Sequence, residues 1–377
     1  MTTSLRSTAL EPTPQDFEGP WLTRTTQKFA HALPQYGLVV VMFGLFAFFS
    51  LLFPDSFFTW FNFRVLVSGN AVLAMMALAA SVPMIAGKID LSIGFALSLW
   101  SMTAITFQIR YDLTWISTIL LVILGGAVLG LLNGLLVELA QVDAFIATLG
   151  TGTVVQAVVQ WHSGGAQQID RDGEIPQVFF DLGQKAIWDN RIPLVLFFVL
   201  FVALVLWLVT EYLPIGRYLY AIGANPRAAE LNGIARRRLT ILSFVASGIL
   251  VSIAGILFAS RFAIGQPGSG DPLLLPALVG AFLGSTTIRP GRVNIWGTMV
   301  GVAVGVLGIA GIQQWGFDFW VTPLFNGLTL IAAISIASYA GRRRLNMKEV
   351  VATTPTVSES DDSTTEPSDE DTVASSS

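Results

Sequence analysis

The chain has 377 residues, of which 53% are hydrophobic and only 12% are charged. A soluble domain usually has about a quarter of its residues charged, so this composition excludes an ordinary water-soluble protein and predicts an integral membrane protein. The net charge of −4 is misleading because acidic residues crowd the segment after Glu349.

The sequence lacks the residues for metal binding or triad catalysis and for ATP binding. Cysteine is absent, and the two histidines, His31 and His162, lie far apart, so neither a metal site nor a catalytic triad is expected. Gly87-Lys88 is followed by Ile89 rather than by Ser or Thr, so the chain lacks the loop that cradles ATP phosphates. We therefore expect no enzyme activity, no cofactor on this chain and no nucleic-acid partner.

Apolar runs dominate the middle of the chain. Residues 1–35 predict a flexible cytoplasmic leader with a short interfacial helix near 21–30, and residues 341–377 predict a disordered acidic cytoplasmic tail. Between them, residues 36–340 form the predicted transmembrane domain, in which each run can cross a core of roughly 30 Å. The runs are 36–53, 65–86, 91–108, 116–137, 144–162, 191–212, 239–260, 273–287, 294–315 and 320–339. The predicted fold class is an all-α polytopic membrane protein with about ten transmembrane helices.

Basic residues orient these spans. With the N-terminus inside, 15 of the 21 Lys and Arg residues fall on inner segments, as the positive-inside rule requires. The eighth run is short and contains Pro276 and Gly280, which are typical of a bent or re-entrant segment. The charge count nevertheless favours a crossing, because an even number of spans keeps Arg342–Arg344 inside. Both termini are expected to be cytoplasmic.

Polar groups inside the predicted spans are few and mostly neutral. Asn70, Asn133 and Asn294 are candidates for the solute pathway, because amides can bond a hydroxylated solute, although they can equally bond across helices. An ionisable relay, which proton-driven transporters usually need, is not evident at any helix centre. The driving force is therefore expected from outside the chain, while sodium coupling through amides and carbonyls stays open.

The connection between the second and third runs is tight. Asp90 and Ser92 can cap the third span, where an acidic residue favours the helix N-terminus. Pro83 and Gly87 just before them predict a break in the second span, a feature that often marks a hinge.

Two glycine stripes and one outer segment have alternative interpretations. Small residues at four-residue steps indicate close helix packing, either within one chain or in a dimer. The stripes are Gly126, Gly130, Gly134 and Gly297, Gly301, Gly305. The outer segment 163–190 is acidic and aromatic, which is typical of a solvated loop or of a landing surface for an external protein.

A polar stretch on the inner side, residues 223–234, predicts a short docking helix. Asn225 can cap it, Pro226 suits its first turn, and Gly233 can end it in a left-handed conformation. About two turns are not stable alone, so such a helix must be held by its loop and dock on something. Its two alanines and one leucine predict a small, smooth face that another protein can approach.

Motifs along the chain occur in the order that is typical of one transporter family. The segment 87–94 (GKIDLSIG) resembles the family's GGIDLSVG, and 145–150 (FIATLG) resembles PFIATLG. Gly216-Arg217 with 221–234 (AIGANPRAAELNGI) resembles FGR…AIGGNPEAARLSGI, and matches continue at 260–261, 283–286 and 296–298. Over roughly residues 37–340, the chain is similar to the ribose-type sugar permease subunits of bacterial ABC importers.

This resemblance implies a permease that dimerises, with itself or with a second permease, in the cytoplasmic membrane of a bacterium. An extracytoplasmic solute-binding protein would deliver a monosaccharide or related polyol, and an ATP-binding subunit would act at the cytoplasmic face by alternating access. The docking helix resembles the family's coupling helix. It implies contacts with the ATP-binding subunit by Asn225, Pro226, Arg227, Ala228, Ala229, Glu230 and Gly233, with Arg217 anchoring the loop.

The sequence departs from the family pattern at a few positions, and a second function stays open. Lys88 replaces a glycine, 271–277 (DPLLLPA) replaces YELDAIAA, and Ser285 replaces the second residue of a double glycine. These changes affect the expected pathway and hence the substrate rather than the class of protein. The alternative function is a stand-alone secondary transporter coupled to an ion gradient.

Overall fold

The computed structural model of the protein describes residues 20–318, 320–332 and 334–335, with side chains from Tyr36 onwards. The predictions for residues 1–19 and for the acidic tail, 341–377, lie outside the described residues.

Helices make up most of the described chain. The elements are α1 Pro20–Leu52, α2 Trp60–Ile85, α3 Ser92–Ile109, α4 Trp115–Glu138, α5 Ala144–Ser163, β1 Gln168–Ile169, α6 Gln177–Gln184, β2 Ala186–Ile187, β3 Ile192–Pro193, α7 Leu194–Tyr212, α8 Pro214–Ala224, α9 Pro226–Leu231, α10 Arg236–Phe262, β4 Ile264–Gly265, α11 Asp271–Gly284, α12 Ile295–Gln314 and α13 Val321–Ala332. Seven of the described helices are long and apolar enough to cross a membrane, namely α2, α3, α4, α5, α7, α10 and α12.

Each of the ten predicted apolar runs coincides with a helix, and seven of these helices have the length of a span. The other three are the apolar part of α1, Tyr36–Leu52, together with α11 and α13. The eighth run is the 14-residue helix α11, which rises about 21 Å at 1.5 Å per residue. The structure is therefore that of a mostly helical, polytopic membrane protein with seven clear candidate spans.

Two helix boundaries differ from the expectation. Helix α1 begins at Pro20 and continues without interruption into the first apolar run, whereas the sequence predicted only a short helix near 21–30. Helix α2 contains Pro83 in its last turn and continues to Ile85. The predicted break in the second span is thus its C-terminal end, where Gly87 adopts a left-handed φ of 76°.

Helix α2 lies at the centre of the core. Every residue from Ala71 to Ala86 is buried, because α10, α11, α12 and α7 pack around it. Helix α7 is equally apolar but lies at the periphery, with Phe197 and Phe201 exposed. In water such a surface would be costly, but a bilayer solvates it.

The first glycine stripe packs α4 against α10 within the chain. A Cβ atom at Gly130 would overlap the carbonyl oxygen of Phe244, and one at Gly126 would lie 2.6 Å from Cβ of Ser252. Gly134 meets the backbone of Ile241 in the same way. The two backbones therefore approach as closely as small residues allow.

The second stripe acts similarly between α12 and α11. Gly297 faces the backbone of Gly284, and Gly301 faces Gly280, whereas Gly305 faces open space. Both stripes thus serve packing within one chain, with Gly305 as the exception.

Segment 163–190, which was predicted to be an outer loop, contains short secondary structure and packs in part against the helices, while most of its residues are exposed. Strand β1 pairs with β4 in antiparallel register, and β2 pairs with β3. Phe179 of α6 is fully buried, and the Gln184 side chain donates to the carbonyl oxygen of Ser260 at 3.2 Å. Trp188 is 79% exposed, so one aromatic ring lies on the surface of this segment.

We expect Gly130→Ala to lower the thermal unfolding midpoint of the detergent-purified protein. The added Cβ overlaps the α10 backbone, and overpacking of this kind typically costs about 1–3 kcal/mol. Gly305→Ala is the matched control, because nothing lies within 4 Å of the added Cβ. Equal midpoints for the two variants would contradict the close contact of α4 with α10.

Candidate functional site

The short helix α9 is held by caps at both ends. The Asn225 side-chain oxygen accepts the amide proton of Ala228 at 3.0 Å, and Pro226 occupies the first helical position. At the other end Gly233 has a left-handed φ of 79°, and the Ile234 amide returns to the carbonyl oxygen of Ala229 at 3.1 Å. These bonds satisfy backbone groups that a helix of six residues would otherwise leave free.

The faces of α9 differ from the smooth docking face that the sequence predicted. Ala229 is buried and turns towards the chain itself. Leu231 is 82% exposed, and Arg227 and Glu230 are exposed beside it. A partner approaching α9 would therefore meet one apolar side chain between charges, with Ala228 half-buried and Ala229 out of reach.

Arg217 does not anchor the loop as expected. It lies on α8 with its side chain exposed, and it makes no hydrogen bond or ion pair with the described residues.

Helix α8 contacts the turn between α2 and α3. Gly223 faces Gly87, and a Cβ atom at Gly223 would overlap the carbonyl oxygen of Ile85. Ile222 beside it is 1% exposed. The predicted hinge residue Gly87 thus lies directly against the helix that leads into α9.

Helix α8 also contacts the turn between α11 and α12. The Tyr220 hydroxyl donates to the carbonyl oxygen of Val293 at 3.1 Å, and the Arg292 guanidinium lies 5.9 Å from the centre of the Tyr220 ring. Burial, together with the nearby Glu211 carboxylate, raises the pKa of Tyr220 to about 12, so this donor keeps its proton. Glu211 at the end of α7 forms an ion pair with Arg289, which lies in the turn between α11 and α12.

Helix α9 is bonded to Arg236, the first residue of α10, which also bonds α4. The sequence did not single out this residue. Its Nε donates to Glu230 at 2.6 Å, and its Nη1 donates to Glu138 at 2.8 Å. The bond from Arg236 holds the pKa of Glu230 below its usual range, so this carboxylate is charged at neutral pH. Glu138 lies 98 residues away from Arg236, and only folding brings the two together.

Asp90 and Ser92 were predicted to cap α3, but the N-cap residue is Leu91, whose side chain makes no capping bond, and Ser92 is the first residue of the helix. The Asp90 carboxylate is buried and accepts the Ser92 amide at 3.0 Å and the Ser247 hydroxyl at 2.9 Å, which ties it to α10. Asn133 donates to the Ser92 hydroxyl at 2.8 Å, and Thr151 donates to Asn133 at 2.6 Å. This buried network joins the start of α3 to α4, α5 and α10.

The three candidate pathway amides do not converge on one site. Asn133 belongs to the network around Ser92, and Asn294 caps α12 by accepting the Gly297 amide at 2.7 Å. Asn70 lines a cavity of about 700 Å³ between α1, α2, α7 and α12, and its amide donates to the carbonyl oxygen of Leu66.

The lining of this cavity is almost entirely apolar. Its other polar side chains, Thr59 and Asn62, already bond neighbouring backbone groups. A hydroxylated solute needs several free polar partners, and this lining supplies few. Among the described residues, no cluster of His, Asp or Glu side chains could hold a metal ion.

Comparison with known proteins assigns the chain to a family. A family model described as "Branched-chain amino acid transport system / permease component" matches residues 63–338. The chain belongs to this permease family. The match begins within α2 and extends through α13, and it therefore includes α8 and α9.

Sugar permeases are among the curated relatives. The chain is 30% identical over 324 residues to a fructose import permease protein of Rhizobium meliloti, covering 84% of this chain and 88% of that protein. It is 27% identical over 307 residues to a ribose import permease protein of Haemophilus influenzae, covering 81% and 94%. It is also 26% identical over 339 residues to a D-allose transport system permease protein of Escherichia coli, covering 90% and 97%. No solved structure matches significantly.

These matches confirm the resemblance that the motifs indicated. The relatives named for ribose, fructose and allose are permease subunits of the sugar-importing type, and the matching region contains the segments 87–94, 145–150 and 221–234.

We expect Asn225→Ala to loosen α9, because the substitution removes the acceptor for the Ala228 amide. Loss of such a cap costs about 1 kcal/mol, which is roughly a fivefold increase in local opening. Hydrogen exchange of residues 226–232, measured by mass spectrometry, would detect it. Asn225→Asp retains an oxygen acceptor and should exchange like the parent, whereas equal exchange in both variants would rule out the cap.

Proposed function

We propose that the chain is the permease subunit of an ATP-driven importer that passes a monosaccharide or related polyol across the cytoplasmic membrane of a bacterium. The matched family and the relatives named for ribose, fructose and allose support this substrate class. The three shorter apolar helices, α1, α11 and α13, complete ten spans in this proposal, with both termini cytoplasmic.

The observation that carries the proposal is the set of contacts around α8 and α9. Helix α8 contacts the end of α2 through Gly223 and the turn before α12 through Tyr220. Helix α9 is bonded to Arg236 at the start of α10, and Arg236 is bonded in turn to Glu138 at the end of α4. A push on α9 would therefore reach several spans at once. Such an element is what alternating access requires where the energy enters from a separate chain.

In this proposal α9 is the docking site for the ATP-binding subunit. Leu231 is the apolar anchor, and the capped backbone holds it outward. The candidates for coupling remain Asn225, Pro226, Arg227, Ala228, Glu230 and Gly233, while Ala229 packs inward. Closure of the ATP-binding dimer would displace α9 and change the side to which the pathway opens.

Outside the membrane, the proposed docking surface for a solute-binding protein is segment 163–190. Exposed acidic side chains at Asp172 and Glu174 lie in the same segment as the exposed Trp188 ring. Mixed aromatic and charged surfaces of this kind are typical of interfaces that form and dissociate. A second permease chain would complete the pathway, for which Asn70, Asn133 and Asn294 stay predictions.

Leu231→Asp should weaken binding of the purified permease to its ATP-binding subunit by about tenfold or more, because it removes an exposed apolar anchor. Since Leu231 is 82% exposed, the thermal unfolding midpoint should not change. Val178→Asp, on the 53% exposed Val178 of the outer helix α6, is the matched control and should bind normally. Equal affinities for the two variants, measured by surface plasmon resonance, would exclude α9 as the docking site.

Uptake by proteoliposomes that contain the permease, the ATP-binding subunit and the solute-binding protein should require ATP on the cytoplasmic side. Ionophores that dissipate sodium and proton gradients should leave this uptake unchanged, because the described spans lack an obvious charge relay. Radiolabelled ribose, fructose and allose are the first solutes to test. Uptake that persists without the ATP-binding subunit and collapses with the ion gradient would overturn the proposed function.

A further inference from the structure

The end of α4 carries a buried carboxylate. Glu138 is the last residue of α4 and its side chain is 1% exposed. One of its oxygens, Oε2, accepts Nη1 of Arg236 at 2.8 Å, and the other, Oε1, has no hydrogen-bond partner among the described residues. A buried carboxylate needs a compensating charge, and Arg236 supplies it.

The glycine contacts between α4 and α10 place these two charges opposite each other. The helices are antiparallel, and Gly126, Gly130 and Gly134 face Gly248, Phe244 and Ile241 in turn. Each step of four residues towards the end of α4 is matched by a step of three or four towards the start of α10. The next four-residue step on α4 reaches Glu138, and Arg236 lies five residues beyond Ile241 towards the start of α10, where its long side chain reaches the carboxylate. The ion pair therefore follows from a register that backbone contact determines.

Each charge is at an unfavourable end of its own helix. Glu138 lies at the C-terminus of α4, where the helix dipole disfavours an anion, and Arg236 lies at the N-terminus of α10, where it disfavours a cation. Each charge therefore depends on its partner, and removal of Arg236 would leave the buried Glu138 carboxylate uncompensated.

Arg236 uses a second edge of its guanidinium to hold α9. Nε donates to Glu230 at 2.6 Å, and the Glu230 side chain is 46% exposed at the end of α9. Two nitrogens at fixed spacing on one planar group thus join a buried carboxylate to an exposed one. A lysine has a single ammonium and would not hold both in this geometry.

We propose that Arg236 is the positioning residue that fixes α9 relative to the α4–α10 pair and transmits the displacement of α9 to both helices. This inference rests on the proposed function, because it assigns the transmission step of the same site. A load on α9 passes through the Glu230–Arg236 bond to the start of α10. It then passes through the Arg236–Glu138 bond to the end of α4. Because the glycines of α4 contact the α10 backbone closely, the two helices move together.

The native chain has no cysteine, so a two-site spin label can report the position of α9 in the full-length permease alone. The label sites are Leu231 on α9 and Leu139 just after α4, whose side chains are 82% and 60% exposed. Each is replaced by cysteine and labelled. Pulsed electron–electron double resonance then measures the distance between the two spin labels in detergent or nanodiscs. The parent pair should give one narrow distribution.

Two substitutions loosen α9 while the buried carboxylate keeps a cation. Glu230→Gln leaves the Arg236–Glu138 bond intact, and Arg236→Lys keeps a positive charge beside Glu138. Each should raise the population outside the main distance peak by about two- to fivefold, as loss of an exposed charged bond allows. Arg237→Gln changes a neighbouring charge that makes no bond to Glu230, and it should match the parent.

The transport arm uses the same variants without labels in the reconstituted system. Glu230→Gln and Arg236→Lys should bind the ATP-binding subunit but use about two- to fivefold more ATP per solute, while Arg237→Gln should not. An unchanged distance distribution in Glu230→Gln and Arg236→Lys would show that Arg236 does not hold α9 in place. A broader distribution without a change in ATP used per solute would show that Arg236 does not transmit the displacement of α9. If the parent permease needs no ATP-binding subunit, the proposed function fails, while the distance measurement still decides whether Arg236 holds α9.

Discussion

Apolar side chains gain little by meeting one another in lipid, because the acyl chains around them are equally apolar. Helices in this environment are held by close approach of their backbones and by polar contacts that lipid cannot replace. In this permease the close approach occurs where Gly126, Gly130 and Gly134 of α4 meet α10. The register of that contact determines which residues meet where α4 ends and α10 begins.

The polar contacts depend on this register. Ser247 lies on α10 where it reaches Asp90, and Arg236 lies where it reaches Glu138. A shift of α10 by one residue would rotate it by about 100° and leave both carboxylates without these donors. Asp90 would keep its bonds from Ser92, but Glu138 would be buried without a partner, at a cost of several kcal/mol. These polar contacts therefore disfavour the wrong register in addition to the glycine contacts.

The sequence predicted the elements better than their arrangement. Hydropathy located every apolar run because each one is continuous, and the Asn-Pro…Gly spacing located α9 because capping is local. It did not distinguish the central helix α2 from the peripheral helix α7, since both are apolar on all sides. Nor did it find the contact of Arg236 with Glu138, because a pair 98 residues apart leaves no local pattern. Arg217 was chosen as the anchor from its place in a motif, although Arg236 holds the helix.

The shortness of α9 explains why its contacts matter more than its own stability. Six residues close too few hydrogen bonds to stay helical in isolation, so caps and neighbours determine both its shape and its place. A longer helix could bend or fray under load and absorb part of a displacement. A two-turn helix that is capped at both ends and bonded to α10 has little internal freedom to do so. Its displacement must therefore appear at the residues that hold it, which are Arg236 on one side and the Gly87–Gly223 contact on the other.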